Sequence, residues 1–358
     1  MAKFFPLRVK DIRRETPDAV SVAFDVPPEL KDDFTYIQGQ YITLKLHING
    51  EDVRRSYSIC TSPYSETELR VAVKEVPGGK GSTYINREMR VSDVVEVLTP
   101  MGNFHTQLQS RQKKRYVLFA GGSGITPMMS IVKSILHVEP ESTIALFYAN
   151  RNVESVIFKT ALEDITSSSN GRLHVVKIYD TSNDDSLDPL YKGLMTKEKA
   201  LEIIKRHEVR NADEYFICGP LPMMDNIKAA LTELSTNEKK IHIEYFSAVL
   251  DTIAEAEKEI AGPVIQSKVT IHQFGMETEI DLASNGKVIL DAALEAGLDA
   301  PFSCKGAVCC TCRAKVLEGK VRMAKNFALT PEEVAEGFVL TCQSHPITEK
   351  VVIDYDAM

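Results

Sequence analysis

Cys304-Lys305-Gly306-Ala307-Val308-Cys309-Cys310-Thr311-Cys312, with Cys342 after 29 further residues, is the stretch from which the rest of the chain can be read. The spacing C-x4-C-x2-C…C is that of a [2Fe–2S] cluster held by four thiolates. Two irons and two bridging sulfides need those thiolates on one small volume; a tight loop supplies three and a later segment the fourth. Small residues and Gly306 let the backbone wrap closely, so that its N–H groups can point at the sulfurs. The plain alternative is a zinc site or a set of buried free thiols. Zinc sites usually show two C-x2-C pairs, and this loop has one, Cys309 and Cys312. Cys304, Cys309, Cys312 and Cys342 are therefore the expected metal ligands. Cys310 is left out, because using it for Cys309 gives C-x5-C-x-C. Such a cluster moves single electrons, so the rest of the chain should supply a donor.

A length of 358 residues suggests two or three domains. The apolar and charged fractions are ordinary for a globular protein. With a formal net charge of −8 and no Lys/Arg-rich run, nucleic acid is not expected as a partner. Residues 266–358 carry 9 Lys+Arg against 13 Asp+Glu, a mildly acidic balance that suits docking on a basic surface and equally plain solubility. The start, Met1-Ala2-Lys3-Phe4-Phe5-Pro6-Leu7, has no long apolar stretch or cleavage-site pattern, and nothing downstream is long enough to span a membrane. Neither secretion nor membrane insertion is expected. Beyond the four ligands, Cys60, Cys218 and Cys310 remain, an odd number that argues against a disulfide framework and for a reducing, cytoplasmic compartment.

Three kinds of patterning follow one another. Val20 to Val26, Tyr41 to Leu46, Arg55 to Cys60 and Leu69 to Lys74 are short runs rich in β-branched and aromatic residues, which predict an antiparallel β-barrel over residues 1–108. From 109 to 250 apolar runs (116–120, 144–149, 174–179, 215–218) alternate with helix-like stretches such as Glu198 to Arg206, which predicts an α/β domain with a parallel sheet covered on both faces. Residues 251–265, charged and then closed by Gly262-Pro263, read as a linker. The last domain, 266–358, begins with a hairpin (Lys268 to Gln273, Glu277 to Leu282) and a helix over Val288 to Ala296 that runs into the cysteine loop, an α+β arrangement.

Four further motifs carry chemistry. Arg55-Ser56-Tyr57-Ser58 lies on a predicted strand whose alternation puts Arg55 and Tyr57 on one face and Ser56 and Ser58 on the other. An arginine can pair a pyrophosphate and a tyrosine can lie along a flat ring. Taken alone this is an ordinary strand. Gly79-Lys80-Gly81-Ser82-Thr83 is a turn opening a short helix, whose free N–H groups suit a phosphate. Gly121-Gly122-Ser123-Gly124-Ile125-Thr126-Pro127 stands between strand and helix, the context of dinucleotide binding, though it is not G-x-G-x-x-G. Cys218-Gly219-Pro220 ends a late strand, where open α/β sheets bind ligands, so Cys218 is placed to meet a nicotinamide; a buried apolar cysteine is the plain alternative. The eight histidines do not cluster at metal-ligand spacing.

In this order and spacing the four motifs resemble the ferredoxin–NADP reductase superfamily over residues ~5–248, and the tail resembles plant-type ferredoxins, which have a β-grasp-like fold. The combination looks like the oxygenase reductases, and Phe338-Val339-Leu340-Thr341-Cys342-Gln343 joins the cysteine loop in carrying that resemblance. It implies FAD, a [2Fe–2S] cluster and NADPH or NADH as cofactors, and an oxygenase component, above all a di-iron one, as the partner accepting single electrons. It also implies roles. Arg55 meets the flavin pyrophosphate, while Tyr57 and Ser58 meet the isoalloxazine and ribityl part. Ser82 and Thr83 fall on the second phosphate turn. Gly122, Thr126, Cys218, Gly219 and Pro220 fall at the nicotinamide, with Thr126 and Cys218 nearest the reacting ring. Within Glu244-Tyr245-Phe246 an aromatic covers the flavin, with Phe246 favoured over Tyr245. NADP-using relatives often carry Ser-Arg after the strand matching Ile178-Tyr179, whereas Asp180, Asp184 and Asp185 follow here and would repel a 2′-phosphate. Arg151 could still pair it, so the resemblance implies NADPH and the local charge NADH. A reductase of a ring-hydroxylating dioxygenase or a hybrid-cluster protein fits the same motifs, and a non-catalytic metal-binding protein stays open beside them.

Overall fold

The structure, a computed structural model, describes residues 3–246 and 264–357. Most of the expected linker, including Gly262-Pro263, lies outside the described residues. Six antiparallel strands open the chain: β1 (Phe4–Thr16), β2 (Ala19–Asp25), β3 (Tyr41–Ile48), β4 (Glu51–Ser58), β5 (Leu69–Lys74) and β6 (Val94–Met101), in the order β4-β3-β6-β1-β2-β5. The sheet closes on itself just past β4. Ile59 bridges Val71 of β5, and the Cys60 N–H donates to the Arg70 carbonyl at 2.9 Å. Closure removes the open edges that an antiparallel sheet would otherwise present. Two of these strands depart from the sequence patterning. β1 does not show in it, because Lys10 to Arg14 read as polar, and β4 begins at Glu51 rather than Arg55. Its start is set by the tight turn at Asn49 and Gly50, both at positive φ (51° and 83°). A short helix, α1 (Lys80–Arg87), follows the glycine turn after β5.

A parallel sheet comes next: β7 (Arg115–Gly121), β8 (Thr143–Asn150), β9 (Leu173–Tyr179), β10 (Glu214–Cys218) and β11 (Ile241–Glu244), in the order β11-β10-β7-β8-β9. Helices α2 (Ile125–Val138), α3 (Lys159–Ser168), α4 (Lys197–Arg206) and α5 (Leu221–Glu233) cover it. Alternate residues of β7 enter different cores: Tyr116, Leu118 and Ala120 pack with α2, and Val117 and Phe119 with α4 and α5. Burial on both faces explains why these strands read as unbroken apolar runs. The core on the α2 side also contains Ala19, Cys60, Ala72 and Phe104, so barrel and sheet share one apolar interior.

The C-terminal unit has a mixed sheet of β12 (Gln266–Gln273), β13 (Met276–Ala283), β14 (Arg313–Glu318), β16 (Phe338–Leu340) and β18 (Lys350–Asp354), in the order β13-β12-β18-β14-β16. A pair, β15 (Val321–Met323) and β17 (Ser344–Pro346), and helices α6 (Ile289–Glu295) and α7 (Pro331–Ala335) complete it. The unit seats on the barrel through β4. Arg54, 8% exposed, lies over the rings of Phe302 (4.3 Å) and Phe4 (5.1 Å) and reaches Asp299 at 3.1 Å, while Ser56 Oγ meets Ser303 Oγ at 2.9 Å. The ring contacts hold the guanidinium, since Asp299 is itself exposed and its pair is screened. Arg54 Nε and Nη1 have no partner, a cost of burial. Arg54→Ala should therefore lower stability by about 2 kcal/mol through the hole it leaves. Arg54→Met, which refills the hole without stranded donors, should come within about 1 kcal/mol of the parent. Chemical denaturation of the three proteins side by side measures both differences.

Candidate functional site

One cavity of about 530 Å³ opens where the three units meet. Its wall includes Arg55, Tyr57 and Ser58 from β4, Gly79 to Ser82 from the turn into α1, Ser123 and Thr126 from the turn into α2, and Glu244 to Phe246 from the end of β11. Cys304, Val308 and Cys309 of the cysteine loop close it on the side of the C-terminal unit, with Tyr41 of β3 beside them. Of the residues singled out from sequence, Arg55, Tyr57, Ser58, Ser82, Thr126, Phe246, Cys304 and Cys309 thus share one space. Thr83, Gly122, Cys218, Gly219, Pro220, Cys312 and Cys342 are not part of its lining, and Arg151 is exposed just past β8, at the same carboxyl end of the sheet as the turn after β7. Strand alternation holds only in part. Ser56 bonds Ser303 and Thr43 yet still lines the cavity, and Ser58, at the strand end, faces the same space as Arg55 and Tyr57.

Close backbone contacts shape the floor. A Cβ on Gly124 would stand 2.1 Å from the Cys218 carbonyl oxygen, and one on Gly219 would stand 2.9 Å from the Gly121 nitrogen. Only glycine lets the turn after β7 and the end of β10 meet this way. Gly122 sits at φ 52° and its carbonyl accepts from the Tyr148 hydroxyl at 3.0 Å. The Thr126 hydroxyl donates to the Ser123 carbonyl at 3.0 Å, which ties the first turn of α2 to the cavity wall. At the other phosphate turn, Ser82 Oγ accepts from the Val76 N–H at 3.1 Å, and a Cβ on Gly81 would press on Arg55 at 3.2 Å. The turn and the arginine are therefore packed as one surface.

Glu244 is the wall residue that the sequence motifs contain but do not single out. The parallel register sets it opposite Cys218, and the Ser58 hydroxyl donates to Glu244 Oε2 at 3.3 Å. Burial raises its carboxyl to about 8, against a small opposing effect of Ser58. The same burial, with Glu244 nearby, pushes the Cys218 thiol well up, so it stands as a neutral thiol at the back of the cavity. A carboxylate in the run Ile241-His242-Ile243-Glu244-Tyr245-Phe246 is the available signal. The two aromatics diverge: Phe246 packs on the core shared by barrel and sheet, and Tyr245 meets Phe327 of the C-terminal unit at 5.0 Å.

The thiols come as two pairs. Cys304 and Cys309 Sγ are 3.1 Å apart, and Cys312 lies against Cys342. Among the described residues no three His, Cys, Asp or Glu side chains surround a single point as one ion would need. Two pairs of thiols fit a binuclear cluster with two thiolates to each iron. The amides of Gly306, Ala307 and Thr311 turn toward Cys304, Cys342 and Cys309. To do this the loop holds Lys305 and Ala307 at positive φ (53° and 65°). Cys310 faces away, its thiol donating to the Ala328 carbonyl at 3.3 Å.

The chain matches the oxidoreductase FAD-binding domain over residues 6–106, the oxidoreductase NAD-binding domain over 118–229 and the 2Fe-2S iron-sulfur cluster binding domain over 271–346. It belongs to the ferredoxin-reductase-type oxidoreductases that join FAD- and NAD-binding domains to a [2Fe–2S] domain. It is 41% identical to one of the subunits of 1,2-phenylacetyl-CoA epoxidase from Escherichia coli (strain K12), over 100% of this chain and 99% of that one. It is 32% identical to the ferredoxin reductase component of 3-ketosteroid-9-alpha-monooxygenase from Rhodococcus rhodochrous, over 98% and 96%. Phthalate dioxygenase reductase is similar in fold across 98% of both chains, with a TM-score of 0.57 and 21% identity.

Glu244 gives the site a pH signature. At low pH both folded and unfolded chains carry its proton, and burial costs nothing. Between 4.5 and about 8 the unfolded chain ionises while the folded one keeps the proton, so stability falls across that window as pH rises. Glu244→Gln, neutral throughout, should unfold at a higher temperature than the parent by a margin that widens from pH 4.5 to 8 and then stays constant. Calorimetry of the flavin-free proteins over that range checks it.

Proposed function

We propose that this protein takes electrons from NAD(P)H, passes them by way of FAD to its [2Fe–2S] cluster, and delivers them singly to an oxygenase, with a di-iron phenylacetyl-CoA epoxygenase as the acceptor. The observation that carries the reading is the single cavity whose wall runs from Arg55, Tyr57 and Ser58 to Cys304 and Cys309. The acceptor is supported by the 41% identity to the epoxidase component and by the cysteine loop with residues 338–343. When bound, the flavin takes the nicotinamide's hydride as an electron pair and gives the electrons up one at a time. Arg55, Ser82 and Thr83 are assigned to its phosphates, Tyr57 and Ser58 to its ring and ribityl chain, and Phe246 to its cover. Thr126, with Gly122 and Cys218 to Pro220, is assigned to the nicotinamide. The working modules are taken as residues 1–108, 109–250 and 266–358. A steroid monooxygenase as acceptor is the second reading, resting on the 32% identity to its reductase component. The odd remainder of Cys60, Cys218 and Cys310 beside the four ligands supports a cytoplasmic setting. No helix among the described residues is long and apolar enough to cross a membrane. Coupled assays with the purified epoxygenase test the reading: NAD(P)H consumption should match epoxide formed. Product with the steroid oxygenase but not the epoxygenase would exchange the two acceptors.

The ligand set has its own test. Cys310→Ser should keep iron and visible absorption at the parent level, and Cys309→Ser should lose both; the reverse result would reassign the loop.

Coenzyme choice turns on Arg151. The Thr181 N–H and hydroxyl both reach the Arg151 carbonyl at 2.9 Å, which draws the two loops together. Burial raises the Asp180 carboxyl while Lys199 and Arg151 oppose the rise, so its charge faces two cations. The Asp184 carboxylate accepts from the Ser186 N–H and hydroxyl within its own turn. This arrangement favours Arg151 as partner of a 2′-phosphate. A charged contact of about 1.5–3 kcal/mol means that Arg151→Ala should weaken NADPH roughly 10- to 150-fold. NADH should hardly change. Steady-state kinetics with both coenzymes decides, and equal losses would remove Arg151 from the site.

A further inference from the structure

Tyr41 begins β3, and local features aim it at the cysteine loop. The pairing of β3 with β6 is irregular at this point, Tyr41 facing Met101 but Thr43 facing Leu98. A bulge of this kind redirects a side chain. Gly102, at φ 120°, makes the room, since a Cβ there would stand 3.0 Å from two ring carbons of Tyr41. The residue is 6% exposed, and its ring lines the cavity next to Cys309. Its hydroxyl accepts the Cys310 N–H at 2.9 Å, across 269 positions of sequence. Met101 beside it packs into the core of the C-terminal unit.

That amide belongs to the peptide joining the two adjacent cysteines. Fixing it fixes which thiol faces inward: Cys309 meets Cys304 at 3.1 Å, and Cys310 meets the Ala328 carbonyl. We propose that Tyr41 is the positioning residue of the cluster loop, holding the Cys309–Cys310 peptide so that Cys309 and not Cys310 is presented to the iron, while its ring forms the partition between flavin cavity and cluster. The inference rests on the function proposed above. A phenol whose only task was packing would not need the one loop amide that separates a ligand from its neighbour. The barrel thus takes part in selecting the ligands of a cluster carried by another unit.

The test is Tyr41→Phe in the full-length, flavin- and iron-loaded protein, which keeps the ring and removes the hydroxyl. Losing the acceptor strands a buried N–H, so iron should be lost to a strong chelator about tenfold faster. The visible circular dichroism and electron paramagnetic resonance of the cluster should change, with flavin content at the parent level. Adding Cys310→Ser removes the competing thiol and should bring the spectra back toward the parent while chelation stays fast. Parent-like spectra and chelation in Tyr41→Phe overturn the proposal. So does a variant that does not fold, or one that loses flavin together with iron, because either marks a packing residue. A parent protein that binds no iron would instead defeat the function on which the inference rests.

Discussion

Backbone meets backbone where Gly124 faces the Cys218 carbonyl, and the arrangement of the site depends on that contact. Any side chain on Gly124 would force the turn after β7 away from the end of β10. With it absent, Ser123 and Thr126 reach the cavity from one turn, and Cys218 stands behind it from the other. The parallel register of β10 and β11 then fixes Glu244 beside Cys218, and Ser58 reaches it from the barrel. Ionisable and hydroxyl groups from distant parts of the chain are brought to one place by the omission of side chains rather than by attraction between them.

The two junctions of the molecule differ in kind. Barrel and parallel sheet share an apolar core through Cys60, Ala72 and Phe104, and burying such surface makes them one body. The C-terminal unit meets them through Arg54 with its two rings, Ser56 with Ser303, Asn103 with Glu333, and Tyr41 with Cys310. Beside two apolar contacts, Met101 on the C-terminal core and Tyr245 on Phe327, these polar contacts specify orientation well and contribute less to cohesion than a shared apolar core. Placing the cluster accurately while keeping its unit distinct is what such a junction achieves.

Much of the site is legible in the sequence because its motifs sit at strand ends and turns, where spacing and glycine report geometry directly. Leu69 to Lys74 reads as the strand that forms, and the thiol spacing C-x4-C-x2-C has its counterpart in two adjoining thiol pairs. What escapes is either masked by charge or set by tertiary contact. β1 hides behind Lys10, Arg13 and Arg14, and the three-residue strands around Cys342 are too short for periodicity to show. Asn49-Gly50 is a readable turn that bounds β4. Tyr41 reads only as the first residue of a strand, because nothing local tells that its hydroxyl will meet an amide 269 positions away. Glu244 needs the register of two parallel strands before its setting becomes visible.

Lys305 and Ala307 stand in the left-handed region, which non-glycine residues enter at a cost of about 1–2 kcal/mol each. Amide contacts to sulfur offset part of that cost, and groups away from the thiols offset more: the Phe327 N–H donates to the Ala307 carbonyl at 3.0 Å, and the Lys305 ammonium reaches Asp291 at 2.8 Å. The unit's own packing thus holds the unfavourable turns, and a cluster entering the loop has that much less backbone left to order.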